Sequence, residues 1–195
     1  NEIGDEGQVI LVVHDSNSET AKERVKSFEE EIKNNYPSVS IVETIYCDKL
    51  DDLKKKIAVE KDPNISEDLQ KAAVEKMTDD EVMQHYLKKY PDLKGVFGTN
   101  ESSTIFALEA LQKTELAGKV ALVGFDISEE QIAAMKNGEI SGLVVQNPFG
   151  MGYASVVAAA RTILQSGNEA VVDTGYIWVT KDNLEDESIQ NMLYK

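Results

Sequence analysis

The sequence is poor in the residues on which several classes of protein depend. It contains one cysteine, Cys47, among 195 residues, so no disulfide can form within the chain and no cysteine-based zinc site is available. No run of residues approaches the roughly 18 apolar positions that a membrane-spanning helix requires. Residues 1–7 are acidic and polar, whereas a signal peptide is basic and then apolar. We therefore expect a globular chain whose export signal, if the protein is exported, has been removed.

Positive charge is also scarce. The 20 Lys and Arg residues are outnumbered by 35 Asp and Glu residues, which gives a net charge of −15. Proteins that bind nucleic acid or anionic membranes neutralise phosphate groups with clustered Lys and Arg, and no such cluster occurs here. The composition therefore argues against both partners. A chain of this length can bury roughly 70% of its unfolded surface, so one domain needs no disulfide or metal to stabilise its core.

Short β-branched runs alternate with longer amphipathic segments along the chain. Residues 8–13 (QVILVV) form a nearly continuous apolar run, which is typical of a strand buried on both faces. Further strands are predicted at 39–46, 95–98, 119–123, 142–145 and 176–179, with helices between them. Strands separated by helices pair in parallel through right-handed crossovers. The sequence therefore predicts an α/β fold, a doubly wound parallel sheet between two layers of helices.

Residues 49–89 interrupt this alternation with a long, charged segment that favours helix. The sequence Asp62-Pro63-Asn64 breaks the segment. Thr78, with Glu81 three residues later, matches a capping box, a side-chain arrangement that starts a helix. We predict two or three short helices here. A connection of this length is a candidate lid, partner surface or simple insertion.

Ligands of open parallel sheets collect in the crevice outside the carboxyl ends of the strands. The residues that follow the first five predicted strands are rich in Asn, Asp and Gln; they are 14–17, 47–49, 99–101, 125–126 and 146–147. Amides donate and accept hydrogen bonds and carboxylates accept them, which matches the needs of sugar hydroxyl groups. Asn and Asp also follow strands because they form turns and helix N-caps, so at any single position both interpretations stand. Five strand ends in succession favour a binding site.

Catalytic motifs are absent from the sequence. It has no nucleophile elbow, no phosphate-binding P-loop, no zinc-protease helix and no dinucleotide-binding glycine pattern. No Cys or Ser motif accompanies His14. A minor alternative is a Mg²⁺ enzyme with an acidic cluster at neighbouring strand ends, formed by Asp15, Asp48, Glu101 and Asp126. We expect no catalytic activity, no cofactor and no bound metal.

Several segments resemble, in the same order along the chain, recurring segments of the type I periplasmic sugar-binding proteins. They are 95–101 (GVFGTNE), 123–126 (VGFD) and 144–153 (VVQNPFGMGY), together with 21–24 (AKER) followed by Phe28, Tyr90-Pro91, and 179–183 (VTKDN). The resemblance covers nearly the whole chain, and several motifs in register are far more specific than one. It implies the fold of one lobe of these two-lobed proteins, which the effector-binding part of the Lac repressor family shares.

The resemblance also implies a ligand site. Four positions match the family's ligand contacts from this lobe: Arg24, Asn100, Asp126 and Gln146. Possible additional ligand-facing residues are His14, Asp15 and Lys49. Arginine suits sugar oxygens because its planar fork presents paired donors; before the resemblance is counted, a surface arginine paired with a neighbouring helix carboxylate is an equal alternative. The family's stacking aromatic after the second strand has no clear counterpart, since Tyr46, Cys47 and Lys49 compete for its place.

The match begins in the middle of the family's pattern. Residues 8–13 correspond to the first strand of the second lobe, so we expect residues 1–195 to be a single carboxyl-terminal lobe whose amino-terminal lobe is missing. Residues 147–170 resemble the segment that crosses to that lobe, and the helix predicted at 150–165 is apolar on much of its circumference. This helix must therefore pack against something else, oligomerise or expose an apolar patch.

The function that the resemblance implies is capture of a small polar ligand, a sugar or related polyhydroxyl compound, between two lobes that close around a hinge. Such a protein delivers its ligand to the permease of an ABC importer. It works outside the cytoplasm, in the periplasm or lipid-anchored on the outer face of the cell membrane. The alternative is the effector-binding domain of a Lac-type transcription regulator. A basic helix-turn-helix before residue 1 would indicate the regulator, and a signal peptide or lipoprotein cysteine there would indicate transport.

Overall fold

The computed structural model describes residues 3–169 and 171–190, and its centre is a six-stranded sheet. The strands are β1 (Glu6–Val13), β2 (Ser38–Tyr46), β3 (Leu93–Gly98), β4 (Ala121–Phe125), β5 (Gly142–Gln146) and β6 (Tyr176–Val179). Their order across the sheet is β2-β1-β3-β4-β5-β6, and β1 to β5 are parallel. The alternation of apolar runs and amphipathic segments thus predicted the α/β fold class correctly.

Eight helices accompany the strands within the described ranges. They are α1 (Glu19–Asn35), α2 (Leu50–Lys61), α3 (Glu67–Lys76), α4 (Asp79–Lys89), α5 (Glu101–Lys113), α6 (Glu129–Lys136), α7 (Pro148–Ile163) and α8 (Glu187–Gln190), and one 3₁₀ turn spans Cys47–Lys49. Ser18 caps α1, and the predicted capping box of Thr78 and Glu81 starts α4. In this part of the chain, no helix has the length and apolar character needed to cross a membrane.

The core lies on both faces of the sheet, and β1 explains why. Side chains alternate in direction along a strand. Ile10 and Val12 join the larger apolar cluster with residues of α2, α4, α5 and α6, while Leu11 and Val13 pack in a smaller cluster with residues of α1. All four side chains are fully buried. The prediction of a strand buried on both faces is therefore confirmed.

Strand β6 departs from the all-parallel prediction. It pairs antiparallel with β5, so that Gln146 lies opposite Tyr176 and Leu143 lies opposite Val179. The cause is the path of the chain. Helix α7 leaves from the carboxyl edge of the sheet, and the segment that follows returns to the same edge instead of crossing to the other end. β6 therefore has to run back alongside β5.

Residues 49–89 fold into three helices, as the sequence predicted. α2 and α4 bury apolar side chains such as Ile57 and Met83 in the larger cluster, whereas α3 contributes no buried side chain and lies against α2. The Lys54 ammonium group joins the α2–α4 pair, since it lies 2.7 Å from Asp79 and 3.2 Å from Asp51. Within residues 49–89, α2 and α4 therefore belong to the core, and α3 lies outside them against α2.

Helix α7 exposes its apolar side chains. Val156 is 70% exposed and Ile163 is 81% exposed, and no α7 side chain is buried. The helix starts two residues earlier than predicted because Asn147 caps it and Pro148 suits its first position. Of the three outcomes expected for this helix, the described chain has the exposed apolar patch. Residue 170 of the predicted crossing segment lies outside the described residues, as do residues 1–2 and 191–195 of the predicted lobe.

Candidate functional site

The parallel strands bring most of the predicted site residues to one edge of the sheet. β1, β3 and β4 are neighbours and end in the same direction. His14, Asn100 and Asp126 follow their carboxyl ends within two residues. The crevice that an open parallel sheet forms at this edge is therefore lined by an imidazole, an amide and a carboxylate.

Arg24 is held over this edge by α1. The helix buries Ala21 and Val25 against the sheet, and Arg24 lies three residues after Ala21 on the same side of the helix. Its half-buried side chain crosses the carboxyl ends of two strands. Nη1 donates a hydrogen bond to the carbonyl oxygen of Thr99 at 2.6 Å, and Cζ lies 3.8 Å from the centroid of the Phe125 ring. The guanidinium group is thus fixed by both strand ends.

Within the described residues, Arg24 lacks the ion pair with a neighbouring helix carboxylate that its alternative interpretation requires. Among the ion pairs within residues 3–169 and 171–190, none involves Arg24, whereas Lys22 on the same helix pairs with Glu19 at 2.7 Å. The carboxylate that acts electrostatically on Arg24 is Asp126, on a different element.

Burial dominates the electrostatics of Arg24 and Asp126. It raises the pKa of Asp126 above its usual value; Arg24 opposes this rise and the Glu101 carboxylate adds to it. Burial likewise lowers the pKa of Arg24, and Asp126 opposes that shift. Each charged group has lost more solvation than its partner restores. A polar ligand that donates to Asp126 or accepts from Arg24 would restore part of this lost solvation.

Asp126 also has an unusual backbone conformation. Its φ is 63°, in the left-handed region that few residues other than glycine adopt, although Asp tolerates it. Its N–H donates to the carbonyl oxygen of Val144 at 2.9 Å, which continues the bonding between β4 and β5. Strained residues cluster at functional sites, and this one directly follows the ring that supports Arg24.

Asn100 serves as the N-cap of α5, which was the structural alternative for every Asn after a strand. Its Oδ1 accepts hydrogen bonds from the Ser103 N–H at 2.9 Å and from the Ser102 hydroxyl at 3.1 Å. The Nδ2 amino group has no hydrogen-bond partner in the described part of the chain. The cap fixes the side chain by its oxygen and leaves two donors for another partner.

His14 and Asp15 are tied into the loop after β1. His14 Nδ1 lies 3.0 Å from the Thr99 hydroxyl, and its Nε2 lies 3.3 Å from the Ser18 hydroxyl. Asp15 accepts from the N–H groups of Ser18 at 2.6 Å and Asn17 at 2.7 Å, and these bonds hold the pKa of Asp15 below its usual value. Thr99 therefore contacts His14 through its side chain and Arg24 through its carbonyl group, while Asp15 stabilises its own turn.

Lys49 and Gln146 form no hydrogen bond with these residues within the described ranges, although Gln146 ends β5 beside β4. Lys49 is exposed, with Nζ 5.6 Å from the centroid of the Tyr46 ring. The Gln146 side chain makes no hydrogen bond within the described ranges. Tyr46 packs against the smaller apolar cluster, and burial raises the pKa of the Cys47 thiol to about 11. The place of a stacking aromatic after β2 has no evident occupant at the crevice.

The acidic residues considered as a Mg²⁺ cluster do not come together. Asp48 accepts hydrogen bonds from the Ser16 N–H at 3.1 Å and the Ser16 hydroxyl at 2.8 Å, and Asp15 is used in its own turn. Across residues 3–169 and 171–190, no three His, Cys, Asp or Glu side chains are arranged to hold a metal ion. Asp15 and Asp48 are thus bonded within their own loops, and the Glu101 carboxylate, which lies near Asp126, forms no three-membered metal site with it in the described residues.

Sequence reasoning missed the aromatic support beneath Arg24. The Phe97 ring stacks on Phe28 of α1 with centroids 4.9 Å apart, and it lies 6.3 Å from the ring of Phe125. Each of these residues belongs to a segment on which the family resemblance rested. That resemblance placed the three residues in motifs, but only the fold shows that their rings meet.

Fold and site together define a class of protein. Open parallel sheets of this kind hold their ligands at the carboxyl edge, which here carries both hydrogen-bond donors and acceptors. Residues 1–168 match the family described as periplasmic binding protein domain, and the chain belongs to that family. The family assignment made from the sequence motifs is thus confirmed.

Relatives of known name share parts of this chain. The ribose import binding protein RbsB of Salmonella typhimurium is 36% identical over 84 residues, which are 42% of this chain and 27% of that protein. The xylitol-binding protein of Mycolicibacterium smegmatis is 30% identical over 106 residues, 53% of this chain and 30% of that protein. Neither of these two is a transcription regulator.

Solved structures match almost the whole chain. A carbohydrate transporter solute-binding protein from Agrobacterium radiobacter, in complex with D-arabinose, has 26% identity and a TM-score of 0.73 over 97% of this chain and 56% of its own. An ABC transporter solute-binding protein from Agrobacterium vitis, with bound D-fucose, has 25% identity and a TM-score of 0.73 over 98% of this chain and 57% of its own. The chain thus spans a little over half the length of these two structures.

Proposed function

We propose that this chain is the carboxyl-terminal lobe of the sugar-binding component of an ABC import system. The observation that carries the proposal is the position of Asn100 and Asp126 at neighbouring strand ends with Arg24 of α1 lying over that edge. They offer a fork of donors, a carboxylate acceptor and an amide with two unused donors. A polyhydroxyl ligand needs donors and acceptors together.

The relatives support a small polyhydroxyl ligand. One is named for ribose and one for xylitol, and the two structures hold D-arabinose and D-fucose. All four are compounds that carry several hydroxyl groups on a short carbon chain or ring. No covalent step is needed for their capture, and none is proposed.

Capture in this proposal requires a second lobe. Residues 147–170 would cross to it, with Gln146 at the crossing and the exposed apolar side of α7 packed against it. A ligand that contacts both lobes favours the closed state by the free energy of those contacts, and the closed state is what the permease would recognise. His14 and Asp15 would hold the rim of the crevice, and Lys49 would lie beyond it.

The proposed place of action is outside the cytoplasm, where an import system collects its ligand. The family to which the chain belongs is named for the periplasm, which supports this location. In a cell without a periplasm, the protein would be attached to the outer face of the cell membrane by a lipid anchor.

The direct test is calorimetry on a full-length, two-lobed protein that carries this chain. D-ribose, D-arabinose, D-fucose and xylitol would be titrated separately, and we expect micromolar or tighter binding of at least one. Absence of heat with all four compounds would contradict the proposal. The 195-residue chain alone should bind the same compound weakly or not at all, because half of the contacts are missing.

A further inference from the structure

Thr104 lies between the two strand ends that carry Asn100 and Asp126. It belongs to the first turn of α5, and its side chain is fully buried. Its Oγ1 donates to the carbonyl oxygen of Asn100 at 2.7 Å and accepts from the N–H of Phe125 at 3.3 Å. One hydroxyl group therefore joins the N-cap of α5, two residues after β3, to the last residue of β4; the Asn100 carbonyl oxygen also accepts from the Thr104 N–H at 3.0 Å.

The Thr104 hydroxyl lies beyond the last backbone pairing between β3 and β4. The register between β3 and β4 ends at Phe97 opposite Val123, two residues before Phe125. On its other side β4 stays paired with β5 as far as Phe125 opposite Val144. The side of β4 that faces β3 would therefore be unpaired at this edge without Thr104.

Two glycines make room for this side chain. A Cβ added at Gly124 would collide with the side chain of Thr104, and one added at Gly98 would collide with its hydroxyl oxygen and its backbone. The two strands therefore lack side chains at the positions where Thr104 enters. A threonine that only filled space would not need its hydroxyl aligned on both the N-cap of α5 and the end of β4.

Resting on the proposed function, we infer that Thr104 is a positioning residue for the ligand site. Its hydroxyl accepts the hydrogen bond that the next residue of β3 would otherwise accept from β4. It thereby sets the distance of Asn100 from Arg24 and Asp126. Arg24 rests on Thr99 and on the Phe125 ring, so a shift of β4 relative to β3 moves all three binding groups.

The test compares Thr104→Val, which keeps the shape and removes the hydroxyl, with Thr104→Ser, which keeps the hydroxyl. The matched control is Thr114→Val, because Thr114 Oγ1 makes a similar bond to the carbonyl oxygen of Ala110 at 2.7 Å at the opposite end of α5. Each variant of the full-length protein is examined for sugar affinity by calorimetry, for thermal midpoint without ligand, and by NMR.

We expect Thr104→Val to weaken sugar binding about tenfold, the effect of one buried hydrogen bond. Thr104→Ser should stay within about twofold of wild type, and Thr114→Val should lower the thermal midpoint without weakening binding. In Thr104→Val alone, the Phe125 amide should exchange faster and the ring-current-shifted Arg24 Nε–H signal should move.

Two results would overturn the inference. One is unchanged Phe125 exchange and Arg24 signal in Thr104→Val. The other is equal loss of affinity in Thr104→Val and Thr114→Val, which would show that affinity merely follows stability. If wild type binds none of the four compounds while the NMR changes occur, the proposed function fails and the positioning role of Thr104 is still supported.

Discussion

The guanidinium carbon of Arg24 lies 3.8 Å from the centroid of the Phe125 ring, while Arg24 Nη1 donates to the Thr99 carbonyl oxygen at 2.6 Å. A cation over an aromatic face is attracted to it, and more strongly where water is partly excluded. The two contacts fix the side chain before any ligand arrives. Preorganised groups bind more tightly because less conformational entropy is lost on binding.

Replacement of the Phe125 ring should weaken ligand binding through Arg24. In a full-length protein, Phe125→Leu keeps an apolar side chain but removes the aromatic face, and we expect sugar affinity to fall by about 0.5–2 kcal/mol in calorimetry. Phe106→Leu is the matched control, because Phe106 is also partly buried but packs on the larger apolar cluster, whereas the ring beneath Arg24 is Phe125. Equal losses in the two variants would contradict a specific role of the ring.

Removal of the Arg24 guanidinium should have a larger effect. Arg24→Ala leaves the ligand's oxygens without a donor and leaves Asp126 without its opposite charge, so we expect binding to weaken by about 2–4 kcal/mol. Arg24→Lys keeps the charge but loses the planar fork, and should recover only part of this.

Lys22→Ala provides the comparison for Arg24. Lys22 is on the same helix and pairs with Glu19 at the surface. Exposed pairs of this kind contribute about 0–1 kcal/mol to stability, so affinity should be unchanged. Normal binding by Arg24→Ala would remove this residue from the proposed site.

The charge of Asp126 should cost stability at neutral pH. Its pKa is raised in the folded state, mainly by burial, so the folded protein holds the proton more tightly than the unfolded chain. Stability from this group is greatest below the unfolded pKa of about 3.9 and is lost as the pH rises through the folded value. We therefore expect Asp126→Asn to be more stable than wild type at pH 7 in denaturant titrations, and the difference to disappear toward pH 3.

Asp48→Asn should behave in the opposite way. Desolvation raises the pKa of the exposed Asp48, but hydrogen bonds from the Ser16 N–H and hydroxyl outweigh it, so the net pKa is lowered. Its stability contribution is present at pH 7 and is lost as the pH falls through the folded value. Asp48→Asn should thus be less stable than wild type at pH 7. The same sign for both variants would show that the local environments do not control these charges.

The position of the candidate site at the carboxyl edge of the sheet could be predicted from the sequence, because it depends on topology alone. The carboxyl ends of parallel strands must meet, so Asn100 and Asp126 had to be close once β3 and β4 were recognised as neighbours. The support of Arg24 by Phe125 could not be predicted in this way. It depends on the reach of the Arg24 side chain from α1 to the end of β4, which no spacing along the chain records.

Other features depended on the path of the chain in space. The antiparallel direction of β6 follows from the return of the chain to the edge where Gln146 ends β5. The role of Thr104 was hidden because a threonine in the first turn of a helix is ordinary. The glycines that make room for it, Gly98 and Gly124, lie on two different strands.

The exposed side of α7 gives a test of the two-lobed arrangement. Val156 and Ile163 lie seven residues apart on this helix and are 70% and 81% exposed. In the 195-residue chain, the double variant Val156→Ala, Ile163→Ala should change the free energy of unfolding by less than about 0.5 kcal/mol, because exposed side chains lose no packing. If α7 packs against a second lobe in a full-length protein, the same variant should cost about 2–5 kcal/mol there.

Leu122→Ala is the control for α7, since Leu122 is fully buried in β4 and belongs to the larger cluster. It should cost about 2–5 kcal/mol in both proteins. Denaturant unfolding of the two proteins, each with the α7 double variant and with Leu122→Ala, separates a local effect from one that needs the second lobe. A neutral effect of the α7 variant in both proteins would show that this helix does not pack against a second lobe, and residues 147–170 would then need another role.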